Sequence, residues 1–372
     1  MRKLLPILVI VCSTVQTTWA QTSLSPCTLQ NGQLGVCIET EQCNPDTNTV
    51  YDDGSGIINF RSGTDPIVCP SSQVCCLYPG TAAATLSAAL VRGSPATDIS
   101  ETCGYQKRQT VPGYVKTKTN EADPGEFPWA VNLMIKIKDA NYQYAGTGSL
   151  IHDRVVLTAA RALFDKDTSN LAAAFGEHDI NKRVLPKKMV RVREIVMHSN
   201  FDSSDGKYNF ALAFLSSSAM KSLPHVGTVC LPPASYVATA GANCVFAGWG
   251  ADGAGNYQDQ LTKTEVPMVS HSACEERLRQ NPKLGPGFQL HSSFTCAGGE
   301  MGKDICGGAA GSPLVCPIEG QQSRFVQTGI VSWIGTCGKD GAPTAFADVA
   351  AARPWIDQQM DDRQYSTASY TY

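Results

Sequence analysis

Beyond its first twenty residues, the 372-residue chain has no run approaching the roughly 18 uninterrupted apolar residues that a membrane-spanning helix needs. A helical membrane anchor in the mature protein is therefore excluded. No Asn-x-Ser/Thr acceptor occurs anywhere, so N-glycans are not expected. No paired C-x2-C knuckles of the structural-zinc kind occur either, and no metal or cofactor is expected. Charged residues make up only 17% of the chain, and the basic ones are scattered, with Lys187-Lys188 no more than a doublet. Nothing in that distribution forms the basic face that nucleic-acid binding requires.

What is present begins at the N-terminus. Arg2 and Lys3 precede an apolar run from Leu4 to Val11 and the small-residue exit Thr18-Trp19-Ala20, the pattern of a secretory signal peptide over residues 1–20. Its removal leaves 28 Lys+Arg against 33 Asp+Glu, a mature net charge of about −5. Of 15 cysteines, Cys12 leaves with that peptide. The remaining 14 are an even number in an exported chain, as a disulfide framework requires.

Six of them, Cys27, Cys37, Cys43, Cys69, Cys75 and Cys76, crowd residues 27–76 among turn formers such as Asp52-Asp53-Gly54-Ser55-Gly56. So small a unit buries too little apolar surface to stand alone, and disulfides typically add about 2–5 kcal/mol each in such modules. Residues 77–113 read as a linker, with a short helix over Thr81–Leu90 the competing reading. From 114 to 360 the chain turns to short β-type runs separated by Gly, Pro, Asn and Asp: Ala130–Ile137, Val155–Thr158, Met189–Val196, Cys244–Ala247 and Phe325–Trp333. That punctuation predicts an all-β sandwich or barrel, as one compact unit or two small barrels. The Ser/Thr/Tyr tail over 361–372 reads as disordered.

Between Pro128-Trp129 and Trp355-Ile356 stand Gly148-Ser149-Leu150-Ile151, Val156-Leu157-Thr158-Ala159-Ala160, Gly248-Trp249-Gly250 and Gly311-Ser312-Pro313-Leu314-Val315-Cys316. Through these segments the chain resembles a chymotrypsin-like serine protease. The cysteine-rich module, closed by Cys75-Cys76, resembles the clip domain of arthropod serine proteases and of their catalytically dead homologues. The resemblance implies an all-β fold, a chymotrypsin-like double β-barrel preceded by a small disulfide-rich clip-like domain. It also implies a pairing that six cysteines alone leave open among 15 connectivities: Cys27–Cys75, Cys37–Cys69 and Cys43–Cys76. In the protease-like part it implies Cys244–Cys316, Cys274–Cys296 and Cys306–Cys337, with Cys103 tying the linker to Cys230. The bridge that the family usually has beside its catalytic histidine falls on Gly146 and Ala162, so both partners are gone together.

Serine protease chemistry needs a hydroxyl nucleophile, an imidazole base and a carboxylate that orients it. By the resemblance those places hold Arg161, Asn209 and Ala310. A guanidinium has only donors and keeps its proton near neutral pH, an amide offers no charge to an imidazolium, and a methyl cannot attack. Loss of the whole set costs a serine protease on the order of a millionfold in turnover, about 8 kcal/mol. The aspartate that would receive a newly cleaved N-terminal amine is replaced by Ala309, and the expected junction near Val115-Lys116-Thr117 has no Arg-Ile or Arg-Val step. Backbone donors at Gly308 and Ala310 remain, and alone they give slight catalysis. Asp304 matches the carboxylate that selects Lys or Arg, but Ile334 and Thr344 stand where the family keeps glycine, so Asp304 reads as a pocket remnant. Ser312, two residues past the nucleophile position, points elsewhere, and the six histidines read as surface or turn residues away from the site.

The expectation is a secreted, extracellular, inactive homologue that works by binding. Its implied partners are clip-domain proteases, prophenoloxidase or other immune factors of a haemolymph-like fluid, and its role that of a cofactor or regulator of melanisation. Cleavage at Arg92 or Arg108, between the modules, is the expected switch. An adhesive protein that bridges cells or matrix is the alternative, and a hydrolase using unfamiliar residues the third reading.

Overall fold

The computed structural model describes residues 25–28, 34–39, 73–76, 103–137, 141–251, 258–300, 310–321, 323–333 and 341–372. The chain divides into two compact units, Met1–Asp98 and Ile99–Tyr372.

In the first unit β1 (Ser25–Thr28), β2 (Leu34–Glu39) and β3 (Gln73–Cys76) form an antiparallel sheet in that order. Cys37 lies opposite Ser25 on one side and opposite Cys75 on the other. The three expected clip bridges, Cys27–Cys75, Cys37–Cys69 and Cys43–Cys76, rest on side chains outside the described residues, as does Arg92.

The second unit is built on two closed six-stranded antiparallel barrels. The first joins β4 (Ala130–Lys136), β5 (Tyr142–His152), β6 (Val155–Thr158), β9 (Ala211–Leu215), β8 (Lys188–Met197) and β7 (Leu171–Phe175). The second joins β10 (Asn243–Gly248), β11 (Thr262–Val269), β12 (Phe294–Ala297), β15 (Thr344–Asp348), β14 (Phe325–Trp333) and β13 (Pro313–Pro317). Closure removes every sheet edge, and strands buried over their whole length, such as β6, β7 and β9, fill the first barrel. Among the described residues three α-helices decorate the barrels: α1 (Ala160–Leu163), α2 (His271–Arg279) and α3 (Val349–Asp361). Ser270 and Asp348 cap the last two by accepting from Ala273 N and Ala350 N, which satisfies donors that a helix start leaves open.

Disulfides join Cys103 to Cys230, Cys244 to Cys316 and Cys274 to Cys296. The first of these changes the reading of the linker. Residues 103–109 are not a free connection but a strap on the second unit. Gly104 N donates to Thr228 O at 2.8 Å and Gly104 O accepts from Phe325 N at 2.8 Å. Gly104 has φ +84°, and a Cβ there would lie 2.2 Å from Phe325 O, so only glycine fits.

The C-terminal tail also departs from expectation. Residues 361–372 are docked, because the tail carries one large apolar anchor and a chain of backbone acceptors. Tyr370 is fully buried and its hydroxyl donates to Asp357 Oδ1 at 2.8 Å, while its carbonyl accepts from Leu231 N at 2.8 Å. Ser369 bonds on both sides, accepting from Thr228 Oγ1 at 2.7 Å and donating to Ile151 O at 2.8 Å. A tail reading as polar by composition is thus held by one buried tyrosine and the backbone and hydroxyl of its neighbouring serine. Two histidines, His178 and His225, are likewise buried in the interior and are not surface residues.

Candidate functional site

The site begins where β6 ends. After Thr158 the chain turns into the short α1, whose Ala160, Ala162 and Leu163 face the core and whose Arg161 faces solvent. Arg161 N donates to Asn209 Oδ1 at 2.8 Å, and one of its guanidinium nitrogens donates to Ser203 O. Asn209 is buried just ahead of β9 and donates through Nδ2 to Ser332 Oγ on β14 at 2.9 Å, so a single amide links the two barrels.

Ala310 approaches from the second barrel. Its carbonyl accepts from Thr147 N on β5 at 3.0 Å. The next residue, Gly311, has φ +87°, and a Cβ there would meet Thr147 O at 2.1 Å and Thr158 Oγ1 at 2.2 Å. That glycine lets the Ala310 loop lie flat on the first barrel. Gly146 completes the juxtaposition, since a Cβ built on it would stand 3.0 Å from Ala162 Cβ and 3.2 Å from Ala310 O. The fold therefore gathers Arg161, Asn209 and Ala310 around one cleft. Asp304, Ala309, Ile334, Gly308 and the Cys306–Cys337 pair lie outside the described residues, while Thr344 stands half-buried at the start of β15 opposite Ala297.

Among the described residues this cleft has no nucleophile held against a base. Ser312 is fully buried with no hydrogen-bond partner for its hydroxyl. A serine and a histidine do meet at Ser293 Oγ and His291 Nδ1, 2.9 Å apart. Ser293 is buried, however, and its hydroxyl also accepts from Tyr208 N at 3.2 Å, so it is a structural contact. His198 stacks on Tyr208 with ring centroids 4.8 Å apart and is spent on packing.

The stretch expected to hold an activation junction is pinned by a carboxylate that the sequence reading overlooked. Glu121 is buried and accepts from Thr117 N at 2.7 Å, Thr117 Oγ1 at 3.0 Å, Lys118 N at 3.3 Å and the Tyr114 hydroxyl, with His178 Nε2 at 3.2 Å. Burial pushes its carboxyl up, but the bonds from Tyr114, Thr117 and His178 outweigh it and hold the group at about 2. Burial and the adjacent Glu121 push the Tyr114 phenol above its usual range.

A second network holds the strap. The buried Glu126 accepts from Arg108 Nη2 at 2.8 Å and from Lys263 Nζ at 2.6 Å, while Lys107 N donates to Gly125 O at 3.1 Å and Gln109 N to Pro124 O at 2.7 Å. Arg108 is thus anchored on both sides, with its side chain still exposed.

The comparisons agree with this geometry. Residues 116–356 match the family model described as Trypsin, and residues 25–77 match that described as the serine protease Clip domain PPAF-2. The chain belongs to the trypsin family and carries a clip domain. It is 42% identical to phenoloxidase-activating factor 2 of Galleria mellonella, over 73% of this chain and 92% of the relative. It is 33% identical to inactive CLIP domain-containing serine protease A8 of Anopheles gambiae, over 90% of each chain. A third relative, inactive CLIP domain-containing serine protease A3 of Aedes aegypti, is 32% identical over 88% of this chain and 67% of its own length. As a clip-domain member of the trypsin family, the chain keeps the family's double barrel and lies among relatives named for the absence of activity.

Proposed function

We propose that this chain is a secreted, non-catalytic clip-domain protease homologue that acts by binding other proteins, as a cofactor or regulator of phenoloxidase activation. The observation that carries the reading is the cleft itself, where Arg161, Asn209 and Ala310 occupy one constellation with no group among the described residues able to attack a peptide bond or accept its proton. A scaffold kept in full without its chemistry leaves surface recognition as the property to act through. A relative named as a phenoloxidase-activating factor supports that cascade, and a relative named as an inactive clip protease supports the absence of catalysis. Partners of this chain are then clip-domain proteases or the phenoloxidase precursor, and no cofactor is needed. The proteolytic switch falls at Arg92, the single Lys or Arg between Cys76 and Cys103, because Arg108 is engaged by Glu126.

The test is phenoloxidase activity in a reconstituted mixture of precursor and activating protease, with and without this protein, intact and after limited proteolysis. A dose-dependent change supports the reading and gives its sign. No change in either form rejects it and favours adhesion.

A further inference from the structure

The residue that abolishes the general base also changes the charge of the cleft. Arg161 points its side chain to solvent, and among the described residues its one side-chain bond goes to the neutral carbonyl of Ser203. A guanidinium has five donors, so most of this fork is unused by the described residues. No carboxylate among the described residues forms an ion pair with it. Asn209, buried behind it, is neutral and already bonded at both ends of its amide. The nearby acids are committed to their own turns: Asp167 Oδ1 accepts from Ser169 N at 2.9 Å, Asp202 Oδ1 from Ser204 N at 2.8 Å, and Asp205 pairs with Lys207 at 2.5 Å. Asp165 is the exposed carboxylate that stays outside such bonds, beside the exposed Lys166.

An aromatic wall adjoins this cation. Phe164 ends α1 and is 43% exposed, and it packs edge-on against Phe201 with centroids 5.9 Å apart. The same two segments thus meet twice, Arg161 against Ser203 and Phe164 against Phe201, so the guanidinium and the ring are held against one neighbouring segment. Arg and aromatic side chains are the residue types that carry most binding energy at protein interfaces, and a planar guanidinium suits bidentate capture of a carboxylate. A protein of net negative charge that exposes an arginine without an ion-pair partner among the described residues keeps it against its own overall sign.

We infer that the degenerate cleft is a peptide-docking site in which Arg161 holds the carboxylate of an Asp or Glu on a partner protein while Phe164 covers an adjacent apolar side chain. The inference rests on the proposed binding function and names the chemistry of the partner segment. Charge complementarity selects an acidic occupant over a basic one, the reverse of what a trypsin-like pocket takes.

A random heptapeptide display library panned on the whole disulfide-bonded protein tests this without knowledge of the partner. The wild type is expected to enrich sequences with Asp or Glu next to an apolar residue. Arg161→Ala and Arg161→Glu lose that enrichment, and bind the selected peptides about tenfold or more weakly, while Arg161→Lys recovers part of it. Phe164→Ala relaxes the apolar preference and keeps the acidic one. Since both side chains are exposed, unchanged thermal midpoints serve as the folding control. Absence of acidic enrichment, or equal enrichment on Arg161→Ala, overturns the inference. Acidic enrichment that depends on Arg161, together with no effect on phenoloxidase, leaves the docking site standing and removes the cascade reading.

Discussion

Glu121→Gln removes one buried negative charge and leaves a side chain of almost the same shape, so it isolates what that charge does. The carboxylate accepts from Thr117, Lys118, Tyr114 and His178, and its carboxyl is held at about 2 against an ordinary 4.5. Each pKa unit corresponds to about 1.4 kcal/mol, and two independent lost charge-assisted bonds give a similar sum, so the change costs on the order of 3 kcal/mol. The sign follows from the direction. A carboxyl depressed in the folded state stabilises fully above its unfolded value and loses that contribution as pH falls from about 4.5 toward about 2. The wild type should therefore exceed the variant by the full amount at pH 7 and by almost nothing near pH 2. Amide exchange read by mass spectrometry over residues 114–122 is the sensitive assay, because a local opening made about 3 kcal/mol easier exchanges on the order of 100-fold faster. Unchanged exchange at Thr117 and Lys118 at pH 7, or a difference that does not shrink in acid, would refute the assignment of Glu121 as the clamp.

Other outcomes follow from the same contacts. Restoring the triad by Arg161→His, Asn209→Asp and Ala310→Ser is expected to give no labelling by a serine-directed fluorophosphonate, since Ala309 leaves an activating amine without a receiver and Glu121 holds the segment that would supply it; labelling above the parent protein would count against that second block. A cut after Arg92 frees the N-terminal part without reductant, whereas a cut after Arg108 leaves it tied through Cys103–Cys230 until the disulfide is reduced, which paired non-reducing and reducing gels distinguish. Glu126→Gln should raise trypsin cleavage at Arg108 about tenfold or more by weakening the ion pair that guards it, and equal rates would show that the pair does not. Tyr370→Ala opens a cavity beneath the tail and should cost about 3–5 kcal/mol in chemical denaturation, while a loss under about 1 kcal/mol would mean that the tail is merely resting on the surface.

The double barrel was legible because its signals are local and repeated. β6 and β14 coincide with runs rich in branched and aromatic residues bounded by turn formers. β7 was hidden, because Leu-Ala-Ala-Ala-Phe favours a helix and becomes a strand only through burial on both sides of the first barrel. The positions Arg161, Asn209 and Ala310 could be named from the resemblance, but the bond between Arg161 and Asn209 spans 48 residues and Ala310 is tied to the distant Thr147, which no local pattern encodes. Glu121 and Glu126 escaped notice for the opposite reason. A carboxylate near a proline and glycine turn looks like surface, and only the returning strap makes it interior. The tail was misread because composition averages over twelve residues, whereas docking depends on a few particular ones, Tyr370 and Ser369 foremost.

The three substitutions in the cleft are consistent with one another. Asn209 keeps, as an amide, both contacts its position requires: Oδ1 accepts from Arg161 N, and Nδ2 donates to Ser332 Oγ. An aspartate in the same place would be a buried anion with no imidazolium beside it, since the guanidinium of Arg161 is turned outward to Ser203. Its free oxygen would depend on a reversal of the Ser332 hydroxyl, which donates at 3.4 Å to Gly206 O. Asn209→Asp should thus destabilise by about 1–3 kcal/mol at pH 7, the cost of burying a poorly paired charge. Such a carboxyl has its pKa raised by folding. The penalty is absent below the unfolded value near 3.9 and grows as pH rises through the folded one, so the gap to wild type should close on acidification. Adding Arg161→His supplies the missing partner and should recover part of the loss at neutral pH. If Asn209→Asp alone is as stable as the parent at pH 7, the amide is not a response to the lost histidine, and the cleft tolerates the family's carboxylate without it.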